Sequence, residues 1–340
     1  MAVEARRVTG VVTAHRQLEG GGLEVRRPFP GGGSPNFLGE QFDPFLLLDH
    51  FGPVVTGPGE AVGAPWHPHR GFATISYLLE GELTHKDSAG NAGTLRPGDF
   101  QLMVAGAGII HDESPSAYIK AHGGRQEGFQ IWVNLKAEDK MCAPTYQDFG
   151  ADEVPTFHGE NFVAKVASGT AFGLEGPAQS PVPIHFVDVH ATAGAVVAHD
   201  LPKSMSLGVY VYRGRALFFK DKDKDDRNNE GNSGNGDVAA EEGQFVVLGE
   251  GSPAAEGGAA STRALVTVPD DVATCQFLIL AGEPLREPMA RYGPFVMNTN
   301  AQIAKAYTDY NAGNFGNIPA TFKSRTIHHD TYDPERHKLV

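Results

Sequence analysis

The sequence predicts an all-β chain built as two antiparallel β-barrels with a short C-terminal helix. Strand-like runs, turn-residue content and an internal repeat point to it. Short apolar or alternating runs recur along the chain, each bounded by Gly, Pro, Asn or Asp. Glycine and proline number 42 and 23 among 340 residues, a content that suits many turns better than long helices. One β-unit occurs twice. Tyr77-Leu-Leu-Glu-Gly81-Glu-Leu83 resembles Tyr210-Val-Tyr-Arg-Gly214-Arg-Ala216, and Gly98-Asp-Phe-Gln-Leu-Met103 resembles Gly243-Gln-Phe-Val-Val-Leu248. A repeated β-unit makes two barrels the natural architecture.

In chain order, strands are predicted at residues 45–48, 74–79, 100–104, 129–135, 184–189, 207–219, 245–248, 264–268 and 275–280. In the fourth, Phe129, Ile131, Val133 and Leu135 alternate with Gln130, Trp132 and Asn134, so the two sets face opposite ways. The polar set is a candidate wall of a site. The interval Gly214–Gly243 exceeds Gly81–Gly98 because it contains residues 221–237, a stretch without one apolar side chain. Such a stretch has nothing to bury and reads as a mobile surface insertion. Near the end, Thr299 or Asn300 can cap a helix whose stripe is Ile303, Ala306, Tyr307 and Tyr310, with Gly313 at its stop. The predicted division is a first barrel at 1–145, a second at 146–300 that contains the insert, and a helix and polar tail at 301–340.

The net charge is −13. An acidic chain lacks the basic footprint of sequence-independent nucleic-acid binding, which leaves room for a protein partner that itself binds DNA. Cys142 and Cys275 cannot make a disulfide framework, no CxxC pattern exists, and neither cysteine is given a role. The first 30 residues lack an apolar core of the secretory type, and the longest nearly apolar run, 102–110, is too short for a bilayer. The expectation is a soluble protein of the cytoplasm, the nucleus or both, without membrane contact.

The strongest chemical signal is His67-Pro-His69, followed by His111-Asp-Glu113. Residues i and i+2 of a strand share a face, roughly 6–7 Å apart along it. Each pair can therefore converge on one point. Three imidazoles and a carboxylate suit a first-row metal, with two positions left open if the metal is octahedral. Zinc favours four ligands in closed sites or three in open ones, so iron(II) is the favoured ion, with manganese, nickel and copper as alternatives. The equivalent offsets in the second half fall on Asp200, Pro202, Glu256 and Gly258, with His199 alone nearby, so that barrel is expected to be metal-free. His85 is read as a supporting residue. His328, His329 and His337 are read as solvated, and Arg26-Arg27 as a solvated pair.

Longer stretches resemble the pirin family. They are Asp43-Pro-Phe-Leu-Leu-Leu-Asp49, His67-Pro-His-Arg-Gly-Phe72, Tyr77-Leu-Leu-Glu-Gly81, Pro97-Gly-Asp99, Ala105-Gly-Ala-Gly-Ile109 with His111 and Glu113, and Trp132-Val-Asn-Leu135. Residues 281–288 and 293–300 are similar as well. The resemblance implies a monomeric bicupin of two stacked cupin (jelly-roll) barrels, with one iron held by His67, His69, His111 and Glu113 in the first. It implies either of two functions. One is a quercetin 2,3-dioxygenase that opens a flavonol with O2 and releases carbon monoxide, with Glu113 as the catalytic base. The other is an iron-dependent redox sensor that assists a transcription factor of the nuclear factor kappa B type. Ala73 stands where the family often has Glu, which makes Glu113 the one ligand carboxylate.

Overall fold

The computed structural model describes residues 3–19, 21–30, 42–219, 237–249, 261–316 and 323–324. Residues 221–236 of the insert and the tail 325–340, with His328, His329 and His337, lie outside them. Two compact units are present. One takes the described parts of His15–Val154, Ser180–Val182 and Leu285–Val340, the other those of Met1–Ala14, Pro155–Gln179 and Pro183–Pro284. Linear cuts at 145 and 300 therefore need correction at both ends of the chain. The strand Arg7–Thr13 pairs antiparallel with Gln244–Gly249, so the start of the chain completes a sheet of the second unit. Residues 285–316 belong to the first.

The first unit has a seven-stranded sheet in the order Thr145–Phe149, Phe100–Val104, Phe72–Glu80, Gly124–Asn134, Phe45–Thr56, Leu23–Phe29, His15–Glu19. Its five-stranded sheet runs Lys323–Ser324, Asn91–Leu95, Leu83–Asp87, Ile109–Pro115, Ala64–His69. The second unit repeats the plan with a seven-stranded and a five-stranded sheet. Its core includes Val187, Val209, Val211, Phe277 and Ile279, all fully buried. Among the described residues no helix is long and apolar enough to cross a membrane.

The repeat shows itself in the turns. Gly81 (φ 90°) carries the chain from Phe72–Glu80 in one sheet to Leu83–Asp87 in the other. Gly214 (φ 74°) does the same between Ser206–Arg213 and Arg215–Phe218. The expected single strand over 207–219 is thus two strands in different sheets. A side chain at either place would force the neighbouring backbone to shift. A Cβ would stand 2.7 Å from the Arg125 carbonyl oxygen at Gly81, and 2.3 Å from that of Thr274 at Gly214.

The predicted helix is Asn300–Asn311. Thr299 caps it, and Thr299 with Gln302 forms a reciprocal capping box. Ile303 and Ala306 are buried against Phe295, Met297 and Phe315. A second helix, Ala117–His122, capped by Ser116, was not foreseen. At six residues it is too short to show a periodic stripe.

Candidate metal centre

His67 and His69 lie on the strand Ala64–His69, and His111 and Glu113 on Ile109–Pro115. The strands pair antiparallel with His111 opposite His67, Ile109 opposite His69, and a bulge between His111 and Glu113. Alternation puts each i, i+2 pair on one face, and register places the two pairs side by side. One ring nitrogen from each of His67, His69 and His111 lies within 4.8 Å of the others. Nε2 of His67 and Nε2 of His69 are 3.1 Å apart. The Pro65 carbonyl accepts from Nδ1 of His67 at 2.8 Å, which leaves Nε2 with its lone pair toward the group.

The donor set fits a metal on three grounds. Both nitrogens of His111 are buried without a hydrogen-bond partner, an arrangement that costs stability unless a ligand takes one of them. Burial, reinforced by neighbouring imidazoles, holds His69 and His111 well below the ordinary histidine pKa, so each is neutral and able to donate a lone pair. Two nitrogens bound to one metal at about 2.1 Å and at right angles stand about 3 Å apart, close to the His67–His69 separation.

Glu113 Oε2 is 3.9 Å from His111 Nε2, beyond hydrogen-bond reach. Its carboxylate is held elsewhere. Ser76 Oγ donates to Oε1 at 3.1 Å, and Gln130 Nε2 donates to Oε2 at 2.6 Å. Glu113, Ser76 and Gln130 line a cleft whose apolar wall is Leu23, Val25, Phe51, Val62 and Leu83. Its remaining polar groups include Glu19, Asp49 and Gln126. Arg27 binds Asp49 through two hydrogen bonds, at 2.6 and 2.5 Å, and reaches Glu19 at 2.9 Å. Burial nevertheless pushes the Asp49 carboxyl pKa up.

The face of Gln130, Trp132 and Asn134 is the one turned toward the site. Trp132 packs edge-on against His69 at 5.2 Å between ring centroids. Asn134 instead accepts from the buried Lys140 ammonium at 2.6 Å, which makes it a support of the fold. Phe129, Ile131 and Val133 are fully buried on the opposite face. Ala73 faces away from the site, since Phe72, Thr74 and Ser76 share one side of the strand and Ser76 reaches Glu113 from it.

The pirin family model matches residues 23–133, and the model of the pirin C-terminal cupin domain matches residues 186–316. Pirin of Mus musculus is 36% identical over 94% of this chain and 98% of its own. The chain belongs to the pirin family. A pirin-like protein of Solanum lycopersicum is 34% identical over 92% of this chain and 93% of its own. Among solved structures, a quercetin 2,3-dioxygenase from Acinetobacter baumannii is 32% identical, with a TM-score of 0.77 over 93% of this chain and 100% of that one. The first pirin match contains His67, His69, His111, Glu113, Ser76 and Gln130. The fold is accordingly a bicupin.

Other residues singled out in the sequence fall as follows in this pirin. His85 is buried directly across from Glu113 in register, stacked on Tyr146 at 5.2 Å. Arg26 contacts His50 and the Gly52 carbonyl, and Arg27 is part of the cleft wall, so neither is a solvated residue. In the second unit His199 is not alone. Its Nε2 lies 3.2 Å from Nδ1 of His185, fourteen residues earlier and on another strand. The Ser76 contact with Glu113 was not visible either, because nothing in sequence marks a serine in an apolar strand as a carboxylate partner.

Proposed function

We propose that this pirin is a metal-dependent dioxygenase of the quercetin 2,3-dioxygenase type, with one iron(II) held by His67, His69, His111 and Glu113. The observation that carries the reading is that the carboxylate beside the histidine triad is also part of the wall of a largely apolar cleft. Bound metal would supply redox and Lewis-acid chemistry beside Glu113, the residue that links the histidine triad to that cleft. The chain's own residues do the rest. Leu23, Val25, Phe51 and Leu83 offer an apolar surface to a flat aromatic substrate and keep water from it. Glu113 accepts the proton of the flavonol hydroxyl. A carboxylate has about four acceptor positions, and Ser76 and Gln130 occupy two of them while fixing its plane. Ring opening consumes one O2 and releases one CO per flavonol, so the atoms balance without another reactant.

Iron-loaded protein mixed with quercetin in air should lose the flavonol absorbance and release carbon monoxide, and should do neither without oxygen. No turnover by fully loaded protein would overturn the activity. His67→Ala with His69→Ala should abolish bound iron. Unchanged metal content in that double variant would overturn the ligand assignment.

A further inference from the structure

Residues 285–316 belong to the unit that carries the histidine triad, and three of their contacts, from Val296, Asp309 and Phe315, meet at Arg70. This residue follows His69 directly and is 4% exposed. Its Nε donates to the Ala107 carbonyl at 2.6 Å, in the turn that leads into the strand of His111 and Glu113. Its Nη1 donates to Asp309 Oδ2 at 2.8 Å, on the C-terminal helix. Its guanidinium carbon lies 4.4 Å from the centroid of the Phe315 ring. One side chain thus joins the turn after the first ligand pair, the turn before the second, and the C-terminal segment at Asp309 and Phe315.

Neighbouring contacts strengthen the junction. Gly71 N donates to the Gly106 carbonyl at 2.9 Å, and Val296 N donates to the Arg70 carbonyl at 3.1 Å. Phe315 also leans on the second turn, since a Cβ on Gly108 would come within 2.9 Å of its ring. Ser88 Oγ donates to the Phe315 carbonyl at 2.7 Å and accepts from Ile110 N at 3.1 Å, one residue before His111.

The two ligand pairs arrive on separate strands, so their separation depends on how those turns are held. A metal site tolerates errors of only about 0.5 Å in ligand placement. A charge-assisted bond from a buried guanidinium fixes position more firmly than packing alone. We propose that Arg70, Asp309 and Phe315 form a positioning clamp, through which the C-terminal segment sets metal affinity at a site to which it supplies no ligand. This rests on the metal-site reading above.

The test uses the full chain freed of metal, with cobalt(II) as probe in competition with a chelator. It records the dissociation constant, the d–d absorption bands and the thermal midpoint of each metal-free protein. Asp309→Ala and Phe315→Ala should each weaken cobalt binding about tenfold and shift the bands. Lys305→Ala removes the other partner of Asp309, an Nζ to Oδ1 contact of 3.0 Å at the helix surface, and should change neither. Wild-type constants and bands in both Asp309→Ala and Phe315→Ala would overturn the clamp, even with lowered thermal midpoints. Equal weakening in Lys305→Ala would also overturn it, by assigning the effect to helix stability. If the wild-type chain binds no cobalt, the metal-site reading falls and takes the clamp with it.

Discussion

At the scale of single residues, Glu113 is defined by what holds it. Its two oxygens each receive a hydrogen bond, from Ser76 and from Gln130, and His111 stands too far away to add a third. A bond to a charged acceptor is worth about 1.5–3 kcal/mol, and Gln130 makes the shorter of the two. Replacing Gln130 with Leu keeps a side chain of similar size and removes the donor. With Glu113 free to rotate, turnover of iron-loaded protein should fall about tenfold or more while iron content holds. Steady-state rates normalised to bound iron check this, and an unchanged rate would mean that Gln130 does not orient the base. Ala73 is settled at the same scale. It faces away from the site, so a carboxylate there would not approach the triad without a change in the strand.

At the scale of elements, the barrels depend on glycines at which a strand leaves one sheet for the other. Gly214 and Gly243 are both left-handed, with φ of 74° and 83°, but their surroundings differ. A Cβ at Gly243 meets nothing within 4 Å, whereas one at Gly214 would stand 2.3 Å from a backbone oxygen. Gly243→Ala should therefore cost only the left-handed conformational penalty, about 1–2 kcal/mol. Gly214→Ala should cost that and a backbone displacement, and should lower the urea midpoint distinctly more. Equal midpoints would show that the Gly214 turn yields. The same turns explain how the strand predictions fared. Alternation and apolar runs located the strands, but a run through Gly214 looked continuous because both flanking strands are apolar.

At the scale of the whole molecule, each unit has buried histidines whose neutrality ties stability to pH. In the second unit His199 is 2% exposed. Burial first, then His185, brings its pKa down to about 4. The unfolded chain protonates this residue near pH 6.5. Between those values the unfolded state binds the extra proton, so stability rises with pH across the window. The contribution is fully present above about pH 6.5 and is lost as pH falls toward 4, reaching about 3 kcal/mol. Hydrogen exchange in the strand Val196–Pro202 at pH 7, 5.5 and 4.5 should show protection falling on acidification. His199→Phe should flatten that dependence, and a wild-type slope in the variant would remove His199 as its source. His69 and His111 act in the same direction in the first unit.

The sequence by itself determined the all-β class, the repeated barrel unit, the capped helix and the four residues proposed to hold the metal. Each depends on short-range periodicity: alternation for the strands, i and i+2 for the ligand pairs, and a cap followed by a stripe for the helix. Only the tertiary structure decided what depends on chain segments far apart. The strand Arg7–Thr13 joins the second unit, residues 285–316 join the first, and Arg70 meets Asp309 and Phe315 across more than half the chain. Edge strands and exposed turns are completed by whatever segment the folded chain brings to them. The pairing of His185 with His199 and the hold of Ser76 and Gln130 on Glu113 follow from strand register in the same way. Register is set by the packing of a whole sheet, and no local pattern of residues records it.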